Sequence, residues 1–220
     1  MTSPHCVRQV TDLSAEPAVR GFLHVPSEGN GDGLVLTHGA GANCESRLMV
    51  AMAEAFAEAG LIVLRCDLPF RQQRPHGPPL PGSAATDRNG LRRAASVLRE
   101  TAPGRIYLGG HSYGGRQASM LAAEERQLAA GLLLLSYPLH PPRKPTAMRV
   151  THFPQLETPA LFVHGSRDPF GSVEEMNSAL KLIPGRSLLL EIAGSGHELL
   201  PRKASEVPAR ITHAFQAFFR

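Results

Sequence analysis

Apolar stretches of strand length alternate along most of this chain with longer stretches whose apolar positions recur every three or four residues. GLVLT (33–37), LIVLRC (61–66), RIYLG (105–109), GLLLLSYP (131–138), PALFVHG (159–165) and SLLLEI (187–192) predict strands. Between them, helices are predicted over ESRLMVAMAEAFAEAG, with Gly60 as a stop, over TDRNGLRRAASVLRETA, over GRQASMLAAEERQ and near SVEEMNSALKLI. A closing helix is predicted from about Lys203 to Phe219, and VRQV and GFLHVP predict a short β section near the start. DLPFRQQRPHGPPLPGSA reads as a loop too rich in proline for any regular element.

Strands that are apolar on both sides need cover on both faces. The pattern therefore predicts an α/β fold, a mostly parallel, doubly wound sheet of about 7–8 strands with helices on each face. A length of 220 residues suits one domain, taken as residues 1–220. Such sheets hold their ligands beyond the carboxyl ends of the strands, and each polar motif below directly follows a strand.

Composition narrows the picture. With 42% hydrophobic and 19% charged residues the chain is expected to be a soluble globular protein, and a net charge of +4 comes from scattered cations without a basic block. Three tyrosines and no tryptophan give little to stack bases on, so no nucleic-acid partner is expected. No segment has the roughly 18 to 20 apolar residues of a membrane span, and MTSPHCVRQVTDLSAEP contains no signal-peptide core. A cytoplasmic location, no membrane partner and a monomer or small homo-oligomer are the expectations. Cys6, Cys44 and Cys66 stand far apart without a CxxC pairing and are expected to be reduced, buried side chains, and no metal is expected. His38-Gly39-Ala40-Gly41 lacks both GxGxxG and a P-loop lysine, so no cofactor is expected.

Candidate chemistry centres on Gly110-His111-Ser112-Tyr113-Gly114, between a strand and a helix. A serine hydroxyl is a weak nucleophile unless a base takes its proton and a third group orients that base. Asp168 follows the strand PALFV in a turn, and His197 follows SLLLEI, so acid and base come in order after the serine. Glycines two residues either side of Ser112 would let strand and helix backbones approach in a sharp elbow. The N–H of Tyr113 is one expected oxyanion donor, and Ala40, with Gly41 as its neighbouring alternative, supplies the second. A structural glycine turn is the bland reading of Ser112, a turn-forming aspartate before Pro169 that of Asp168, with Glu174 or Glu175 as rival acids. His38 and His111 are expected to shape their own loops.

These four motifs in order resemble the α/β-hydrolase superfamily over roughly residues 20 to 219. DLPFRQ, GGHSYGGRQASMLAAE and YPLHPP are similar to small bacterial hydrolases related to dienelactone hydrolases and to the hydrolase-like domain of chromatin-complex subunits. Dienelactone hydrolases proper use a cysteine nucleophile where this chain has Ser112, so their substrate is not carried over. The resemblance implies a serine hydrolase of the carboxylic ester type, with catalytic Ser112, Asp168 and His197. Amide or peptide hydrolysis uses the same triad, and a non-catalytic interaction module is the reading from a different class.

LHPPRKPTAMRVTHFPQLET, between two strands, is too short for a large lid, which predicts an open site for a small soluble substrate. Arg71 and Arg74 in PFRQQRP, with Arg143, Lys144 and Arg149 in this other loop, are candidate rim residues for an anionic substrate, against the plainer reading of solvated loop charge.

Overall fold

Eight strands form one sheet in the order β1-β2-β4-β3-β5-β6-β7-β8 in the computed structural model, which describes residues 5–200 and 206–220. The first two, β1 (His5–Asp12) and β2 (Val19–Pro26), pair antiparallel, and β2 pairs antiparallel with β4 (Ile62–Cys66). From β4 onward the sheet is parallel through β3 (Gly33–Thr37), β5 (Ile106–His111), β6 (Gly131–Leu135), β7 (Ala160–Gly165) and β8 (Ser187–Ile192).

Alternation along each strand sends successive side chains to opposite faces. Leu132 and Leu134 join one buried cluster with Leu91 and Leu98 of α3 (Ser83–Arg99), Leu121 of α4 (Tyr113–Glu124) and Met176 of α5 (Val173–Leu180). Leu133 and Leu135 join the other, with Met49, Met52 and Phe56 of α1 (Arg47–Glu58) and Phe215 of α6 (Val207–Phe219). Both faces are thus covered, as the unbroken apolar strands require.

Two local expectations change. The proline-rich stretch after β4 does contain a helical turn, α2 (Pro69–Gln73), because Pro69 sits at its first position, where a missing N–H costs nothing. Helix α3 begins earlier than its apolar spacing suggested, after Gly82 in the left-handed conformation. The start expected for α6 near Lys203 lies outside the described residues. Cys44 and Cys66 are buried, while Cys6 is exposed on the edge strand β1, where only one neighbour covers the chain.

Parallel strands carry their following loops to one edge. The loops after β3, β5, β7 and β8 therefore bring Ala40, Ser112, Asp168 and His197 to the same side of the molecule.

Candidate active site

Ser112 follows β5 and is the N-cap of α4, in a backbone conformation of φ 51° and ψ −111°. That region is strained for any residue with a side chain, and it persists only where the surroundings hold it. Here Ser112 N–H donates to Leu135 O (2.8 Å), and its carbonyl accepts from Arg116 N–H (3.0 Å) in α4. The backbones around it nearly touch. A Cβ on Gly110 would lie 2.7 Å from the Gly114 carbonyl carbon, and one on Gly114 would lie 2.7 Å from His38 O. Only glycine permits the turn at both places.

From this elbow the hydroxyl meets His197, whose Nε2 lies 2.8 Å from Ser112 Oγ. His197 Nδ1 lies 2.8 Å from Asp168 Oδ2, so the three side chains form one hydrogen-bonded line. A carboxylate only accepts, so Nδ1 carries the proton and Nε2 is left free to take one from the serine. The second oxygen, Asp168 Oδ1, accepts from Phe170 N–H (2.9 Å), and the Phe170 ring lies against the imidazole at 4.2 Å between centroids. Glu174 and Glu175 are engaged elsewhere: both start α5, where Glu175 accepts from Ser172 N–H (2.7 Å) in a capping box and lies 3.3 Å from His140 Nε2.

The loops after β7 and β8 are zipped to each other. Arg167 N–H donates to Ser195 O (2.9 Å), and Gly194 N–H donates to Ser166 Oγ (2.8 Å). A Cβ on Gly165 would lie 2.4 Å from Ser195 O. This glycine is what lets the two loops meet, a job its sequence context gave no sign of.

His111 does more than shape its own loop. Its Nε2 lies 2.8 Å from the backbone O of His197, and since a carbonyl only accepts, Nε2–H is the donor. Burial pushes its pKa below the ordinary histidine value, with the neighbouring His197 acting in the same direction, which favours the neutral ring with its proton on Nε2. The other edge of the ring faces Gly39, where an added Cβ would lie 3.0 Å from Nδ1. One residue of the elbow thus holds the base loop and touches the loop after β3.

That loop carries the second oxyanion candidate. Ala42 N–H is bonded to Gly39 O (3.1 Å), which leaves Ala40 and Gly41 as its candidate donors. Tyr113, as the first residue of α4, has no residue one turn earlier in the helix to accept from its N–H. The Tyr113 hydroxyl is anchored away from the serine, donating to Asp87 Oδ2 (2.7 Å), while Asp87 Oδ1 accepts from Phe70 N–H (2.9 Å). His38 is buried beneath the loop; Leu68 N–H donates to its Nε2 (3.2 Å) and its Nδ1 faces Gly39 O (2.9 Å). Burial lowers its pKa, so this histidine is a neutral strut.

Arg71 is not on a rim. It is 5% exposed, and its guanidinium donates to Ala42 O (2.7 Å), Ala40 O (2.8 Å), Arg74 O (2.9 Å) and Gly77 O (3.0 Å). With its donors taken up by these carbonyls, Arg71 is a brace for the loop after β3. The four carbonyls offset the cost of burying its charge, and its guanidinium lies 5.0 Å from the Phe70 ring centre. Arg74, Arg143 and Lys144 remain exposed, and Arg149 is half-buried in the β6–β7 crossover.

A parallel sheet with an antiparallel start, and a serine, an aspartate and a histidine after β5, β7 and β8, define an α/β-hydrolase architecture. Residues 31–217 match the alpha/beta hydrolase domain family, and the chain belongs to it. Solved structures agree on the fold. A dienelactone hydrolase from Anabaena variabilis superposes with a TM-score of 0.76 at 21% identity, covering 98% of this chain and 97% of that one. Est1E from Butyrivibrio proteoclasticus gives 0.73 at 17% identity, covering 95% and 98%. XC6422 from Xanthomonas campestris, an α/β serine hydrolase without lid, gives 0.70 at 15% identity, covering 99% and 96%.

Proposed function

We propose that the chain is a serine hydrolase acting on small, soluble ester-like substrates through an acyl-enzyme, with Ser112 as nucleophile, His197 as general base and acid, and Asp168 as the group that orients the base. The observation that carries this reading is the unbroken line from Ser112 Oγ through the His197 ring to Asp168 Oδ2, with 2.8 Å at each step, on a strained elbow.

In the first step Ser112 Oγ bonds to the ester carbonyl carbon and its proton passes to His197 Nε2, while the carbonyl electrons move onto oxygen. The N–H groups of Tyr113 and Ala40 accommodate that oxyanion, aided by the positive end of α4. Collapse expels the alcohol, which takes the proton from His197. Water then attacks the acyl group, again giving up its proton to His197, and the acid leaves as Ser112 Oγ is reprotonated.

An open site supports the choice of small substrates. Residues 136–159, between β6 and β7, hold only a single turn of 3₁₀ helix at Phe153–Gln155, with no helical cap over the serine. The likeness to the lidless Xanthomonas campestris hydrolase lies with the same reading. One Est1E structure is described with ferulic acid bound, which makes aromatic esters a sensible inclusion in a first substrate panel.

The test is fluorophosphonate labelling read by intact mass on the native chain and on Ser112→Ala. A single adduct that disappears in the variant is expected, followed by turnover of acetate or butyrate esters exceeding that of long-chain esters. No adduct on the native chain would count for a non-catalytic module instead, and faster turnover of matched amides would move the assignment from ester to amide hydrolysis.

A further inference from the structure

The outer face of α4 and the β6–β7 crossover enclose a groove of about 520 Å³ that Ser112, Asp168 and His197 do not line. Its walls include Arg116 and Met120 from the helix and Met148, Arg149, Thr151 and His152 from the crossover. Two guanidinium groups thus face one small space together with two methionine side chains.

Arg149 Nη1 donates to Pro138 O (3.3 Å), a neutral acceptor that leaves its charge uncompensated. Among the described residues no carboxylate is ion-paired with Arg116 or Arg149. Glu124, further along α4, is paired with Arg88 at 3.1 Å. Glu174 and Glu175 line the next groove, on the other side of Met148, where Glu175 is held by Ser172 and His140. The Nε of Arg116 is buried without a hydrogen-bond partner, a state that costs free energy until an acceptor arrives. Burial, and after it the charge of Arg116, push Arg149 below its ordinary pKa. His152 adds no third charge at neutral pH: burial and then Arg116 and Arg88 drive it down to about 4.

The crossover is also held in place. Tyr137 Oη donates to Arg149 O (2.6 Å), Arg149 N–H donates to Leu139 O (2.8 Å), and Ser119 Oγ of α4 lies 2.8 Å from His152 Nε2. Two like charges kept together on pinned backbone are relieved by an anion with two oxygens, which can accept from both guanidinium groups at once. Methionine walls add a polarisable, adaptable apolar surface beside that charged end.

We propose that this groove binds a small amphiphilic organic anion, a carboxylate on a short apolar chain, with the carboxylate across Arg116 and Arg149 and the chain against Met120 and Met148. The volume is within the range of ligand pockets, roughly 300 to 1,000 Å³. Arg116 N–H donates to Ser112 O (3.0 Å), so the ligand sits on the helical turn that carries the elbow.

Isothermal titration calorimetry of the full chain with hexanoate, hexanol and inorganic phosphate tests this. Hexanoate is expected to saturate one site and to bind about tenfold or more tighter than either the neutral or the headless probe. Arg116→Met and Arg149→Met should each weaken hexanoate about tenfold or more. Should either unfold, Thr151→Glu supplies the check, since Thr151 is exposed and its glutamate would occupy both cations and abolish hexanoate binding. Hexanol or phosphate binding as tightly as hexanoate overturns the proposal, as does a hexanoate affinity that Thr151→Glu leaves unchanged.

Discussion

Two histidine rings lie 5.0 Å apart at the carboxyl edge of the sheet, and they do opposite things. His197 presents both ring nitrogens to the side chains of Asp168 and Ser112 and keeps 16% of its own side chain exposed. His111 is 6% exposed, bonds only to a backbone carbonyl, and is held neutral by its burial. Neighbouring residues of one type thus divide into one bonded to the side chains of Ser112 and Asp168, to which the proposed function gives the proton transfer, and one bonded to backbone. The arginines divide the same way: Arg71 has its donors on four loop carbonyls, while Arg116 and Arg149 face a groove without a carboxylate. What separates the roles is the kind of partner: His111 and Arg71 bond to backbone carbonyls, whereas His197 meets two side chains and the two groove arginines meet no carboxylate among the described residues.

Breaking the first half of the contrast should have the largest effect. His197→Gln is expected to lower kcat by on the order of 10⁴-fold with little change in KM, measured on any ester the native chain turns over. His111→Phe removes the bond to the base loop without touching the serine, and kcat should fall by up to about 10²-fold through misplacement of His197. His111→Gln, whose amide can still donate to the His197 carbonyl, should recover part of that loss. A loss in His111→Phe that glutamine does not recover, with unchanged urea midpoints in both, would show that the bond does not position the base.

Arg71→Met tests the arginine half. It leaves the carbonyls of Ala40, Ala42, Arg74 and Gly77 without their donor, and a stability loss of about 2 to 4 kcal/mol by urea denaturation is expected. Any loss of activity should be the same for neutral and carboxylate-bearing esters.

Acid sharpens the difference between buried and exposed histidines. His24 and His152 are lowered to about 4, and His38 and His111 are lowered too, burial being the main cause in each. The unfolded chain takes up these protons near the ordinary value of about 6.5, while the fold refuses them until a lower pH. Stability is therefore fully present above that value and is lost as pH falls toward 4, with a slope of about 1.4 kcal/mol per pH unit for each histidine. Urea midpoints at pH 7.5, 6.0 and 5.0 should fall in that order, and a flat series would refute the burial argument. Arg74→Ala, at an exposed position, should give the smallest effect, within about 0.5 kcal/mol of the native chain.

The strands were legible because an apolar run covered on both faces has one plain reading, and GLVLT, GLLLL and SLLLEI lie where the pattern put them. The short α2 was not, since proline at a helix start and proline in a loop look alike until the flanking chain is seen. Arg71 was misread for a related reason. A cation in a polar, proline-rich segment looks exposed, and only the folding of the loops after β3 and β4 against each other brings four carbonyls to it.

By itself the sequence determined the alternation of elements, the glycines that an elbow needs and the order in which Ser112, Asp168 and His197 follow their strands, because these rest on local sterics and on periodicity. Only the tertiary structure decided which histidine faces the serine and which holds a backbone, that Gly165 lets the acid and base loops meet, and that Arg116 and Arg149 share a groove 33 positions apart in the chain. Those facts depend on distances between residues far apart in sequence, set by how parallel strands bring their loops to one edge.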